Sequence, residues 1–553
     1  MMDGKDLEAE IHPLRKEDGK LKDSPGRAPA PGDEAAGHPA PQTRLSRCRA
    51  VAFFLSLSLC LLVVFVVSFV IPCPERPVSQ GSWRVELSSA VAYDFLATED
   101  VDGDKIQDVL FLYKKNSGGS NGSRSCADEG FSSPCTFMAA VSGASGSVLW
   151  ERPAAQDAAL AQCVVAQPKG RTPASACVLV GQPGTLLAVD ALTGETLWRR
   201  AGGPGGNASV LSTLLAVPDL DADGAPDLLV LTQEGQEVQG SLYSGGSGLQ
   251  LGHCGSLGPA GASSPLLYKT RAGAHYVLLP CASSLCGYPV KGLYETAAGR
   301  ESPLQKDPAW EHKLDPTTHR LPWRSPGAIR YLMLVPGRAG QDLLLVSAEA
   351  CVLLDGQELS PRWTLDAAQV FRKPTLGHYK PDTLALAVEN GTGSDRQILL
   401  LDAGTGSILW RQALLSLPGD PPPASLPTAD RRSAFFFWGR HEPAGASQVD
   451  PGGPQHSLYL FHPTLPSVLL ELANVSAHIT AFHVALLEPS RHAACVILTG
   501  PAGLDTPGLV SVTKHKVRDL IAGGRVTRLV EGGHDSDQAV RDRFSRLRYR
   551  GEA

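Results

Sequence analysis

One twelve-residue pattern returns along this chain. It reads VSGASGSVLWER up to Arg152, VDALTGETLWRR up to Arg200 and LDAGTGSILWRQ up to Gln412. Each copy is an apolar strand, a glycine-bearing turn and a second strand closing on tryptophan (Trp150, Trp198, Trp410). Looser copies are SLYSGGSGLQLG up to Gly252, VLLDGQELSPRW up to Trp363 and LYLFHPTLPSVLLEL up to Leu472. Turn glycines flanked by alternating apolar residues mark β-hairpins. The spacing is 48 residues from Trp150 to Trp198 and 47 from Trp363 to Trp410, which indicates one repeated unit in place of the unrelated hairpins of a sandwich.

A further apolar strand pair precedes each hairpin, so the unit holds four strands. Such units end near Trp150, Trp198, Leu251, Glu295, Trp363, Trp410, Leu472 and Leu520. The expected fold is all-β, a β-propeller of about eight four-stranded blades, with seven as the alternative. With 57 glycines, 43 prolines and only 6% aromatic residues, the composition suits many short strands joined by turns. Trp150, Trp198, Trp363 and Trp410 are expected to pack between blades.

A second feature sets where such a propeller would sit. Ala50 to Ile71 is a run of 22 residues without a charge, and as a helix it would reach about 33 Å, enough to cross a bilayer core. About fifty residues precede it and no small-residue cleavage site follows, so it reads as an uncleaved signal-anchor. Arg44, Arg47 and Arg49 flank it on the N-terminal side, against Arg76 and Arg84 beyond it. Positive-inside bias then gives a single-pass type II protein, with the N-terminus cytosolic. The expected division is a disordered cytoplasmic tail at 1–49, rich in proline, glycine and charge, the membrane helix at 50–71 and a linker at 72–83. The propeller follows at 84–522 and a partly helical tail at 523–553. The location is the plasma membrane, with Golgi or other secretory membranes as the alternative.

Glycosylation sequons stand at Asn121, Asn207, Asn390 and Asn474, all beyond the span. Ten of the twelve cysteines also lie there, in what would be an oxidising compartment. Close spacing pairs Cys126 with Cys135, Cys163 with Cys177 and Cys281 with Cys286 as disulfide candidates. Cys73, at the membrane edge and without an evident partner, is the candidate link for a homodimer.

Aspartates crowd at two places. DVDGDKIQDVLFL carries Asp100, Asp102, Asp104 and Asp108, and DLDADGAPDLLVL carries Asp219, Asp221, Asp223 and Asp227. Both use loop positions 1, 3, 5 and 9, and a carbonyl near position 7 (Ile106 or Ala225) adds an oxygen. Six to eight oxygens at short range are what Ca²⁺ takes. An EF-hand is excluded, because position 12 is Phe111 or Val230 and position 9 opens a β-run. The expectation is a structural calcium site inside each β-hairpin, weaker in the first loop because Lys105 stands where the second has Gly224. Asp342 and Asp382 hold the place of Asp227 in other blades without the preceding aspartates, and no metal is expected there.

These loops resemble the FG-GAP repeats of integrin alpha subunits, whose propeller blades carry D-x-D-x-D-G-x-x-D calcium loops. Together with the RLSRCRA flank, the span that follows it and the C-terminal RDRFSRLRY, the full length is similar to a small family of single-pass type II membrane proteins with an FG-GAP-like propeller ectodomain. The resemblance implies fold and topology and brings no biochemical activity with it.

No H-E-x-x-H, G-x-S-x-G or P-loop motif occurs, and the fifteen histidines are scattered without ligand spacing. A net charge of −6 leaves no footprint for nucleic acid. The expected function is therefore non-enzymatic: a membrane protein whose calcium-stabilised propeller binds an extracellular or lumenal protein or glycan. The hairpins are also similar to blades of quinone-dependent dehydrogenases, so a lumenal quinoprotein-like or hydrolase enzyme is the alternative.

Overall fold

The computed structural model describes residues 44–70, 81–116, 124–166, 175–203, 208–211, 214–259, 265–337, 340–366, 369–392, 395–417, 419–441, 456–486, 492–503, 506–530 and 535–551. The chain divides into two compact units, 1–76 and 77–553. In the first, Arg44–Val70 is a single α-helix of 27 residues. Its stretch Arg49–Val66 has a mean hydropathy of 2.5 and is long and apolar enough to cross a membrane. Most of the N-terminal tail and Cys73 lie outside the described residues.

The second unit is a β-propeller of eight four-stranded antiparallel blades. Blade 1 runs from Ala90 to Ala155, blade 2 from Asp157 to Ala201, blade 3 from Leu215 to Pro259 and blade 4 from Leu266 to Arg324. Blade 5 spans Ile329 to Asp366, blade 6 Thr375 to Ala413 and blade 7 Ala424 to Val475. Blade 8 takes three strands from Ile479 to Lys516, and its fourth comes from the opposite end of the ectodomain. The strand Ser82–Glu99 is shared: Ser82–Leu87 pairs with Gly508–Lys516, and Ala90–Glu99 pairs with Asp108–Lys115 of blade 1.

Inner strands such as Val109–Leu112 and Phe435–Trp438 are buried on both faces, so they read as unbroken apolar runs. Each seam between neighbouring blades holds one hydrophobic cluster, and the eight clusters close a ring from blade 8 against blade 1 round to blade 7 against blade 8.

Four boundaries differ from the sequence reading. Leu251 does not end blade 3; it lies before that blade's fourth strand, Gly255–Pro259. Glu295 does not end blade 4; it lies in the helix Val290–Ala298, inserted before that blade's fourth strand, Arg320–Arg324. Leu520 does not end blade 8; it lies in the helix Val517–Gly523, because the closing strand is N-terminal and periodicity along the chain cannot reveal it. Residues 523–553 are partly helical as expected, but the propeller does not stop at 522. Arg525–Arg528 adds a fifth strand to blade 7, and the helix Asp537–Ser545 buries Val540 and Phe544 in the seam between blades 7 and 8. Ser536 caps that helix, its hydroxyl accepting the Ala539 N–H at 3.2 Å.

All three expected disulfides are present: Cys126–Cys135, Cys163–Cys177 and Cys281–Cys286.

Candidate functional site

The turn between the third and fourth strands of a blade is where the repeated motif does its structural work. Trp150 donates its indole N–H to the Ala191 carbonyl of the next blade at 3.2 Å, Trp198 to Gly245 at 3.0 Å, Trp363 to Ala403 at 2.9 Å and Trp410 to Pro466 at 2.9 Å. Each expected tryptophan therefore crosses a seam and fastens the neighbouring turn, with its ring buried and its one polar atom satisfied. Two more complete the set. Trp83, on the closing strand of blade 8, donates to Gly143 of blade 1 at 3.0 Å. Trp310, in the short helix Pro308–Glu311, reaches Gly356 of blade 5 at 3.2 Å, while Trp323 on the fourth strand of blade 4 packs half-buried against the same seam.

Three of these turns are held from the other side by a buried aspartate. Asp227 Oδ1 accepts the Gly245 N–H at 3.1 Å, and its Oδ2 accepts Leu220 N–H at 2.7 Å. Asp108 Oδ1 accepts Gly143 N–H at 2.8 Å and its Oδ2 accepts Val101 N–H at 2.8 Å. Asp342 Oδ1 accepts Gly356 N–H at 3.3 Å, and its Oδ2 lies 3.1 Å from Arg362 Nε. Asp227 and Asp108 are fully buried. The turn must approach closely for this bond: a Cβ on Gly245 would stand 1.9 Å from the Pro226 carbonyl oxygen, and one on Gly143 2.0 Å from that of Gln107. Blades 2 and 6 lack the aspartate and carry Ala191 and Ala403 at the same turn position. Asp382 does not take this place; it is exposed in the turn before Thr383. Sequence reading missed this pairing of aspartate with turn glycine, although its signal is in the repeats: glycine where the aspartate precedes, alanine where it does not.

The remaining loop aspartates gather beside these ties. One carboxylate oxygen from each of Asp219, Asp221, Asp223 and Asp227 lies within 4.8 Å of the others, and the same holds for Asp100, Asp102 and Asp108. Asp104 is outside the first group, its Oδ1 accepting Ile106 N–H at 2.7 Å. In the second loop Asp219 accepts Ala222 and Gly224 N–H groups at 2.7 and 2.9 Å, and Asp223 accepts Ala225 N–H and the Ser244 hydroxyl at 2.8 Å each. Burial raises Asp227 to about 7 and Asp108 to about 6; backbone donors pull both back, while neighbouring carboxylates push them further up. An all-oxygen donor set of this density suits a hard divalent cation.

The first loop is not deformed by its lysine. Lys105 takes φ +70°, the left-handed conformation of Gly224 at +91°, and donates its N–H to Asp100 at 3.1 Å as Gly224 does to Asp219. The two loops exchange their glycines: Gly103 is left-handed at +77° where the second loop has Ala222 at +62°. Asp100 Oδ1 is buried and has no hydrogen-bond partner, so a cation there would satisfy an orphaned oxygen.

Of the sequons, Asn474 is exposed on the strand Val468–Val475, whereas Asn390 is only 8% exposed and its Oδ1 accepts Gln369 N–H at 3.3 Å. Asn121 and Asn207 lie outside the described residues.

The model of the FAM234A/B beta-propeller matches residues 83–550. Over the whole of both chains, the sequence is 66% identical to Protein FAM234A of Bos taurus and 65% identical to Protein FAM234A of Homo sapiens. It is 28% identical to Protein FAM234B of Homo sapiens over 91% of this chain and 83% of that one.

Proposed function

This chain belongs to the FAM234A/B beta-propeller family, and from that premise we propose that it is a type II single-pass membrane protein whose propeller binds a protein or glycan partner and carries out no catalysis. The propeller then faces the lumen of secretory membranes or the cell exterior, and Ca²⁺ occupies both aspartate loops as a structural ion. The observation that carries this reading is the use of the buried acids. Asp108 and Asp227 are the carboxyls that burial raises furthest, yet each gives both oxygens to backbone N–H groups that hold a turn. A general acid would keep a face free towards a cavity. Here the acids frame the loops, and the loop surfaces between strands are left for recognition.

The experiment is affinity capture by the full-length chain on intact cells after surface crosslinking, run beside a panel of active-site-directed hydrolase probes. The reading expects captured extracellular proteins or glycans and no covalent labelling. Stoichiometric labelling by a probe, blocked by substituting one residue, would replace it with the enzyme alternative.

A further inference from the structure

The last residues of the chain lie as a short strand against blade 7. Tyr549 bridges Thr428 in antiparallel fashion, Ala429 donates its N–H to the Arg548 carbonyl at 2.7 Å, and Arg550 donates its N–H to Pro427 at 2.8 Å. Side chains alternate from Leu547 onward, and Arg546 just before them closes the helix Asp537–Ser545 in helical conformation. Tyr549 is 3% exposed and Leu547 packs against the seam, while Arg546, Arg548 and Arg550 are exposed. Arg548 and Arg550, two apart in the extended segment, therefore lie about 7 Å from each other on one side. Arg431, exposed in the turn that this strand pairs with, adds a further guanidinium.

Most arginines nearby are already engaged. Arg432 pairs with Asp430, Arg525 with Glu471, Arg528 with Asp537 and Arg543 with Asp535. Among the described residues, Arg431, Arg546 and Arg548 have no ion-pair partner, and Arg550 has one hydrogen bond, from Nη2 to the Ala429 carbonyl at 3.0 Å. A chain of net charge −6 thus collects uncompensated positive charge along one edge of one blade.

We propose that Arg546, Arg548, Arg550 and Arg431 form a binding surface for a sulfated glycan, a linear polymer with anionic groups at regular intervals. The guanidinium fork matches the paired oxygens of a sulfate, and it stays charged at any physiological pH. Four exposed forks spread over a helix end, a short strand and the turn it pairs with fit an extended polyanion better than one small ion. Because the backbone is pinned to Pro427 and Ala429, binding orders side chains only, which lowers its entropic cost. This names the partner chemistry of the binding role above and rests on the propeller facing the lumen or exterior, where sulfated glycans occur.

The test uses the full-length chain in detergent and immobilised heparin, with desulfated heparin and phosphatidylserine vesicles as parallel arms. Heparin should bind, and binding should weaken with added salt. The triple variant Arg546→Gln, Arg548→Gln, Arg550→Gln should bind at least about tenfold more weakly, since each exposed charge contributes independently. The matching triple Lys variant should keep most of the affinity, and Arg411→Gln, on the outer strand of blade 6, should keep all of it. Melting curves of all variants report that the fold is intact. Retention of affinity within about twofold in the triple Gln variant, equal binding to desulfated heparin, or preference for the vesicles would each overturn the proposal. Failure of the orientation shows separately, as a protease-sensitive C-terminus in sealed microsomes, whatever the heparin result.

Discussion

The carboxylate of Asp227 accepts the backbone N–H of Gly245 at 3.1 Å, and the carbonyl of that glycine accepts Trp198 from the preceding blade at 3.0 Å. One residue of the turn is thus gripped through its N–H from its own blade and through its carbonyl from the neighbour. The same double grip holds Gly143 between Asp108 and Trp83, and Gly356 between Asp342 and Trp310.

Gly245→Ala should therefore be among the most damaging small substitutions in the propeller. Its Cβ would meet the Pro226 carbonyl at 1.9 Å, and relieving that contact breaks the buried Asp227 bond, a loss of about 1–3 kcal/mol before strain is added. Ala403→Gly, at the equivalent turn of blade 6, should cost less than about 1 kcal/mol. Thermal melting of the two variants side by side checks the ranking; equal melting points would refute it.

Calcium should raise the melting temperature of chain purified with chelator, because a cation bound only by the folded state stabilises it by mass action. Asp221→Ala should reduce that response. Asp102→Ala should reduce it comparably, since Lys105 reproduces the backbone of Gly224. Mg²⁺ should replace Ca²⁺ poorly, as it demands tighter octahedral geometry. A melting curve indifferent to both cations would return the loops to plain acidic turns.

Orientation has a site-specific readout. Asn474→Gln should increase gel mobility and remove part of the endoglycosidase shift, because Asn474 is exposed, whereas Asn390→Gln should leave mobility unchanged because Asn390 is buried in its strand. Protease added to sealed microsomes should trim only the N-terminal tail. Loss of the C-terminus instead would place the propeller in the cytosol.

Acid should loosen blade 7. His462 is fully buried between the Thr428 and Thr464 hydroxyls, at 3.2 and 2.7 Å. Burial lowers its pKa to about 4, partly countered by Asp430 and reinforced by Arg432. The unfolded histidine takes up a proton near its ordinary value and the folded one resists, so this contribution is whole above about 6.5 and is lost as pH falls from there towards 4. The limit is roughly 3 kcal/mol. His462→Gln should flatten the fall in melting temperature between pH 7 and pH 5; an unchanged slope would assign the pH response elsewhere.

The repeats made the propeller legible because the Trp hairpin is local: strand, turn and strand lie within about a dozen residues, and the alternation records which face is buried. The three disulfides were legible for the same reason, with partners at most 14 residues apart. Trp83 and Trp310 were not, since neither sits in a complete hairpin motif; each is recognisable only by the turn it reaches. The loops announced their aspartates, yet the burial that separates Asp227 from Asp219 depends on Gly245, eighteen residues on. Lys105 breaks the glycine pattern only when its position is taken alone, since each loop has two left-handed positions and Gly103 fills the other.

The strand Ser82–Glu99 leaves the ribosome before every other strand of the ring, and half of it has no partner until the last blade exists. Arg84 and Ser511, which meet across that junction at 2.9 Å, are 427 positions apart. At about 5–20 residues per second this is on the order of 20 to 90 s of synthesis. Through that interval the backbone of Ser82–Leu87 has no partner strand, an edge that other β-segments can pair with. Truncation anywhere before Gly508 therefore leaves that edge without the strand that closes the ring.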